Sequence, residues 1–549
     1  VEFDYVYKGE TSVTSGADRT DMSFSPDTKR PPTFFSGELE KSVIFREGIS
    51  ALHEVVVSDL RFKPKDKTAY KEWLARHEGE DMLAAVAKAP ALAAEIKAVQ
   101  EELTQLRGRQ STRLAPYLAA RQQFFKYLYE KNKDAWFVLD PVITVHPDEV
   151  FFECFSQDES SYGRFGAGYE TFKNLGEFAC GTTNVDYSDA LYAEFQKIRS
   201  YKTTRLEVDP SGFDVKTQNE EDFKEVKIDL PDTWVRGFLQ VSSAMALGAA
   251  SFDLHPMDVH NVCFHLRRKK EKKGPRALRW VLQPGKPVRV FFEPWETELV
   301  CPRSIYEGKD EAVIRIWGRR RLLILERLIP FTWRFKVHLL GKGMPSFWVA
   351  DMGGLSFTLG LSGWTANDWS TQGAFDLMAP RAEVDDATKL RVFEGLKKTW
   401  FAKPDALARS LQLDRAVVLG ALGAWTQAGR AIYDLAKGVY RVRELSREPL
   451  PLAKLRFASE REASANELVA SGAVTIAFAG VSDVTAPATA IRGSVGRRDR
   501  SVSVALVIDT DERMIRADCQ CNWHQQNQLF KGPCEHILAL RMAHARRGK

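Results

Sequence analysis

Cys519, Cys521, Cys534 and His536 sit together in the C-terminal stretch RADCQCNWHQQNQLFKGPCEHILALRMAHARR. Three thiolates and one imidazole complete a tetrahedral shell around Zn²⁺ and leave no position for water or substrate, so such a site holds a fold together and does no chemistry. The positioning elements are legible too. Two alternating apolar stretches, Ser501 to Ile508 and Met514 to Asp518, separated by the turn Asp509-Thr510-Asp511-Glu512, predict a β-hairpin. Side chains two apart on an extended strand share a face, which lets Cys519 and Cys521 offer both sulfurs to one ion. Gly532-Pro533 ends the following loop and starts a helix. Cys534 is among its first residues, where the helix dipole favours a thiolate, and His536 follows in the same turn. His524 and His544 are alternative imidazoles for the fourth position.

The order Cys-x-Cys, variable loop, Cys-x-His, in a strand-strand-helix setting, resembles the SWIM zinc finger family over roughly the last fifty residues. The resemblance implies one structural Zn²⁺ on those four ligands, in a module associated with DNA binding or protein–protein interaction. Multidomain bacterial SWIM proteins of this kind are associated with AAA+ ATPases and von Willebrand A-type proteins, which are therefore the partners to expect.

A second unit precedes this one. From Ala387 a helix carries Leu390, Val392, Phe393, Leu396 and Trp400, and Lys403-Pro404 opens a second helix. Asp414 is placed to cap a third, whose Val418, Leu422 and Trp425 recur at helical spacing before Gly429. Two short strands, RAIYDL and GVYRVREL, flank the turn at Lys437-Gly438. Three helices and a hairpin in this order resemble the winged helix-turn-helix family. Base reading requires long polar side chains on the third helix, and here the outward positions are mostly Gly420, Gly423 and Ala424, with Arg415 near the start and Gln427 near the end. The wing is better supplied: Lys437, Arg441 and Arg443 are candidates for phosphate contacts, which position a protein without specifying sequence. A protein-docking or purely structural use of the unit stays open.

Arg497, Arg498 and Arg500 just before the hairpin, with Arg541 beyond the last ligand, would extend a basic patch around the metal. A thiolate-rich site carries negative charge, so part of that patch balances the ion. The charge distribution agrees: from Arg381 onward 27 Lys and Arg oppose 19 Asp and Glu, a net +8, and the whole-chain value of +5 leaves −3 for the first 380 residues.

The fold class expected is α+β multidomain. Residues 1–380 read as a mostly antiparallel, β-rich body with an inserted helical arm at about 67–134, followed by the winged helix at 386–446 and the zinc finger region, with its ββα module, at 447–549. Within the body, SALHEVVVSDLRF, DVHNVCFHL and the apolar segment of WGRRRLLILERL read as strands by alternation. His255, His260, Cys263 and His265 carry metal-competent groups without a fixed geometry, and Glu153, Asp158 and Glu159 form an acidic corner with no nucleophile or base around it. No phosphate-binding glycine loop appears. No apolar run approaches the ~20 residues of a membrane helix, and the dispersed remaining cysteines suit a reducing, cytoplasmic setting. The expected function is a nucleic-acid-binding adaptor or sensor, DNA above RNA, of low sequence specificity and without enzymatic activity. The alternative is a protein-interaction scaffold.

Overall fold

The computed structural model describes residues 12–15, 19–24, 33–58, 141–184, 192, 195–201, 203–208, 232–270, 276–363, 369, 384–445, 460–481, 488–496, 501–509, 514–528 and 532–547. The chain divides into two units, Val1–Asp59 with Leu139–Lys549, and Leu60–Val138. The expected helical arm at about 67–134 falls in the second and outside the described residues.

The larger unit is α+β and mostly antiparallel. Its centre is an eight-stranded sheet in the order Ala250–Leu254, Arg334–Leu339, Ser346–Asp351, Leu355–Leu361, Ser161–Gly168, Glu149–Phe155, Val142–Val145 and Gly181–Asn184. The middle strands are buried along their whole length because both faces are covered. On one face the Ser42–Val56 helix lays Phe45, Ile49 and Leu52 against Phe152, Cys154 and Phe165. Gly48 allows that approach: a Cβ there would stand 2.2 Å from the Phe165 ring. On the other face Phe155 and Tyr162 meet Phe238 of the Asp232–Met245 helix.

A four-stranded antiparallel sheet, Thr297–Ile305, Pro287–Phe292, Leu278–Leu282 and Ala312–Ile316, shows the period-2 burial of a half-covered sheet. A parallel pair also occurs, Arg19–Phe24 with Thr203–Val208.

Three expected strands are helical instead. SALHEVVVSDLRF begins inside the Ser42–Val56 helix, where Phe45, Ile49, Leu52, Val55 and Val56 fall on one side. The run of three valines hides that spacing within an alternating pattern. DVHNVCFHL lies in the Pro256–Arg268 helix, opened by Pro256 in the first turn and capped by His255 Nδ1, which accepts from the Met257 N–H at 3.1 Å. Arg319–Phe331 is a 3₁₀ helix, with Leu322, Leu325 and Leu328 buried at the i, i+3 spacing that such a helix aligns.

Toward the C-terminus, helices Asp386–Thr399, Pro404–Leu411 and Arg415–Gln427 enclose Val392, Leu396, Leu407, Val418 and Leu422 under a small sheet ordered Phe401–Ala402, Val439–Val442, Ala431–Asp434. Asp414 caps the third helix by accepting from the Ala416 N–H at 2.7 Å, and Gly429 takes φ 72° just past its end. The last sheet runs Val474–Val481, Ala488–Val495, Val502–Asp509, Met514–Cys519, all antiparallel. Helices Glu460–Ala470 and Glu535–Arg547 close its inner face over Ile491, Val504 and Leu506.

Candidate metal centre and the expected nucleic-acid contacts

The hairpin and the last helix bring four donors together. Cys519 ends the Met514–Cys519 strand opposite buried Val504, so its sulfur faces the core. Cys521 keeps extended backbone angles and caps the short Asn522–Asn527 helix, its sulfur accepting from the His524 N–H at 3.4 Å. Cys534 is fully buried and its carbonyl accepts from the Leu538 N–H at 3.1 Å, which places it at the cap of the Glu535–Arg547 helix that carries His536. One donor atom from each of the four residues lies within 4.8 Å of all the others. A tetrahedral shell with metal–sulfur bonds of ~2.3 Å separates its ligand atoms by about 3.8 Å, so a small contraction closes the set.

The donor chemistry fits a metal ion. Cys519 donates to the Cys534 sulfur and pulls that thiol down to about 3 against the opposing effect of burial, with His536 adding a further hydrogen bond. The same bond to Cys534 raises His536. His536 Nδ1 is buried and makes no hydrogen bond, with the charged Glu535 Oε1 3.5 Å away. Of the two alternative imidazoles, neither belongs to the cluster; His524 Nε2 lies 3.8 Å from Asp518.

Among the described residues, the expected nucleic-acid contacts are not all exposed. Arg441 and Arg443 are 0% exposed. The segment that holds them lies against the large sheet, which supplies Glu149 and Glu153, with Asp148 in the turn before them. Arg441 donates to both oxygens of Asp148, and through Nε to Asp434 at 2.8 Å, with Glu149 at 3.3 Å. Arg443 reaches both oxygens of Glu153 at 3.4 Å and donates to Ser242 at 3.1 Å. Lys437 is held by Asp148 at 2.9 Å and Glu149 at 3.0 Å. Arg164 joins the same group through Glu149 and Asp434. Four cations and the four carboxylates of Asp148, Glu149, Glu153 and Asp434 thus balance, as buried charges must. This corrects the expected wing: its arginines face the body and not solvent.

Electrostatics follow. Burial would raise the Asp148 and Asp434 carboxyls, but Arg441 with Lys437 at the first, and Arg164 with Arg441 at the second, hold both below the usual range. His146, fully buried, is lowered to about 3 by burial and then by the charge of Arg441. Its Nε2 lies 2.6 Å from the Val442 carbonyl and its Nδ1 3.4 Å from Arg441 Nη1. A carbonyl only accepts and a guanidinium only donates, so the ring is neutral with its proton on Nε2.

On the third helix, Arg415 is exposed but donates to Asp405 at 2.6 Å, and Gln427, the last residue of the helix, is half-buried. Arg541 is partly exposed on the last helix. Arg497, Arg498 and Arg500 lie outside the described residues. The acidic corner is likewise internal: Glu153 serves Arg443 and accepts from Tyr162 at 2.7 Å, while Asp158 accepts from Ser156 and Ser160 at 2.6 Å each. Sequence reasoning missed Asp148, Glu149, Arg164 and Asp434 as partners of the wing. Asp434 is only seven positions from Arg441, but no local signal marks the pairing with Asp148, Glu149 and Arg164 across almost three hundred positions.

No protein-family model matches the chain, and no curated protein is similar to it. Among solved structures, the crystal structure of Proliferating Cellular Nuclear Antigen from Entamoeba histolytica is similar over 41% of this chain and 89% of that one, at 9% identity and a TM-score of 0.29. A likeness that loose carries no argument about fold or function.

Proposed function

We propose that the chain is a zinc-containing, non-catalytic adaptor of the SWIM type, whose C-terminal module contacts nucleic acid through phosphates and shape while its winged-helix-like unit serves as a rigid joint. The four-donor cluster supports the zinc assignment, since three thiolates and an imidazole in a closed shell suit Zn²⁺. The observation that carries the division of labour is the burial of Arg441 and Arg443 against Glu149, Glu153 and Asp434. Side chains buried in those pairs are out of reach of a phosphate. DNA of low sequence specificity is the ligand class this favours, with AAA+ ATPases or von Willebrand A-type proteins as the partners that the SWIM resemblance implies.

The test is a salt titration of the full chain against a labelled duplex and a labelled single strand. Binding at ~50 mM salt that weakens as salt rises, and that Arg415→Ala and Gln427→Ala leave unchanged, is the expected result. Absence of binding to either at ~50 mM salt overturns it.

A second reading is a protein-interaction scaffold without nucleic-acid contact. It is favoured by the Val474–Val481 strand, which is uncharged, lies at a sheet edge, and exposes 81% of Val481. Such an edge accepts an added strand. A chain that binds no nucleic acid would favour this reading.

A further inference from the structure

We infer that the solvent-facing side of the C-terminal sheet is a stacking surface for single-stranded nucleic acid, with Phe478 as the platform and Arg492 and Arg516 as the phosphate contacts; this rests on the nucleic-acid reading above.

Register defines the surface. Phe478 pairs with Arg492, Arg492 with Ala505 and Ala505 with Asp518, giving one row across all four strands. Two residues along, on the same face, the row is Gly480, Ala490, Val507 and Arg516. The intervening residues Ile491 and Leu506 are buried under the helices, and a Cβ on Gly493 would strike Leu540 of the last helix, so those positions mark the inner face. The first two rows therefore point outward. Phe478 is 47% exposed, and Arg492 and Arg516 are exposed.

The shape suits a base. The Phe478 ring lies over Gly480, where an added Cβ would come within 2.9 Å of Cζ, so the glycine lets the ring rest close to the sheet. Around it Ala490, which is itself buried, and the half-buried Ala505 are small. The Arg492 guanidinium carbon is 5.9 Å from the ring centroid. An unpaired base has a free π-face to lay on such a ring, whereas a duplex hides its faces within its own stack. Charge complementarity decides the occupant: Arg492 stands beside the ring on the neighbouring strand and Arg516 lies across the sheet on the Met514–Cys519 strand, so a single strand crossing the face from Phe478 meets both cations in turn. The one anion, Asp518, stands at the far end of the row beside His524, at 3.8 Å.

The test uses the full zinc-loaded chain with a labelled polypyrimidine strand and the corresponding duplex at ~50 mM salt and upward. The single strand should bind more tightly than the duplex. Phe478→Ala should weaken it by about tenfold without altering its salt dependence, because stacking releases no counterions. Arg492→Gln and Arg516→Gln should each reduce the slope of log affinity against log salt by about 0.7. Both sites are exposed, and unchanged zinc content confirms that each variant folds. If nucleic acid binds but the duplex is preferred, or these variants match wild type, this inference fails while the nucleic-acid reading survives. If neither strand nor duplex binds, both fail, and the exposed face is left to a protein partner.

Discussion

Arg441 grips Asp148 with two parallel hydrogen bonds, Nη1 to Oδ1 at 2.8 Å and Nη2 to Oδ2 at 3.0 Å, across 293 positions of sequence. A guanidinium survives burial only where its N–H groups find acceptors, and here the third edge is taken by Asp434. The bond ties the small C-terminal sheet to the large one. What reads in sequence as a nucleic-acid wing is, in the fold, half of an internal charge network.

Arg441→Met should therefore destabilise the larger unit. It leaves Glu149 and Asp434, both nearly inaccessible, without one of their cations, and breaking a buried pair from one side costs about 3–5 kcal/mol. Denaturant unfolding followed by tryptophan fluorescence reads this, with nucleic-acid binding of the folded variant unchanged. An unaltered midpoint together with a reduced salt slope would place Arg441 at a ligand instead.

Acid should loosen the same joint, beginning above the carboxylate range. His146 titrates near 3 in the fold against ~6.5 when unfolded. Between those values the unfolded chain binds the extra proton, so stability falls as pH drops through that window. His53 and His338, lowered to about 4 by burial, act with the same sign. Asp148 is depressed, so its contribution is complete above its unfolded value of ~3.9 and disappears as pH falls below that. The thermal midpoint should decline from about pH 6.5 downward and steepen below about pH 4, with His146→Gln flattening the upper part. A midpoint constant from pH 7 to 4 would contradict the neutral, buried imidazole.

Gly48→Ala separates helix propensity from packing. In an exposed helix the change stabilises by about 0.5–1 kcal/mol, but here the new Cβ would stand within 2.2–2.7 Å of three Phe165 ring atoms. Overpacking should reverse the sign, with a loss of about 1–3 kcal/mol. Stabilisation would mean that the Ser42–Val56 helix does not approach the sheet this closely.

Much of this was legible where a local rule decides it. Asp414 as a cap, Gly429 beyond the helix end, and the alternation flanking Cys519 each follow from chemistry within a few residues, and all four expected metal donors meet. Alternation misled where apolar residues ran consecutively, as at Val55, Val56 and Val57, because a helix and a strand can both bury part of such a run. The fate of Arg441 and Arg443 was illegible for a different reason. Their sequence neighbours are those of a surface hairpin, and only tertiary pairing with Asp148, Glu149 and Glu153 turns them inward. Phe478 was equally silent, since its exposure follows from its place on the face opposite the two described helices that pack on the sheet.

The metal is the claim on which the C-terminal module depends. Structural zinc in small modules supplies about 10–16 kcal/mol of apparent binding energy, so Cys534→Ser should unfold the last fifty or so residues while the body stays folded. Elemental analysis of the purified full chain is the direct measurement: about one zinc per chain in the wild type and none in Cys534→Ser is the predicted result. A wild-type chain that carries no metal while its C-terminal sheet remains folded would contradict the account.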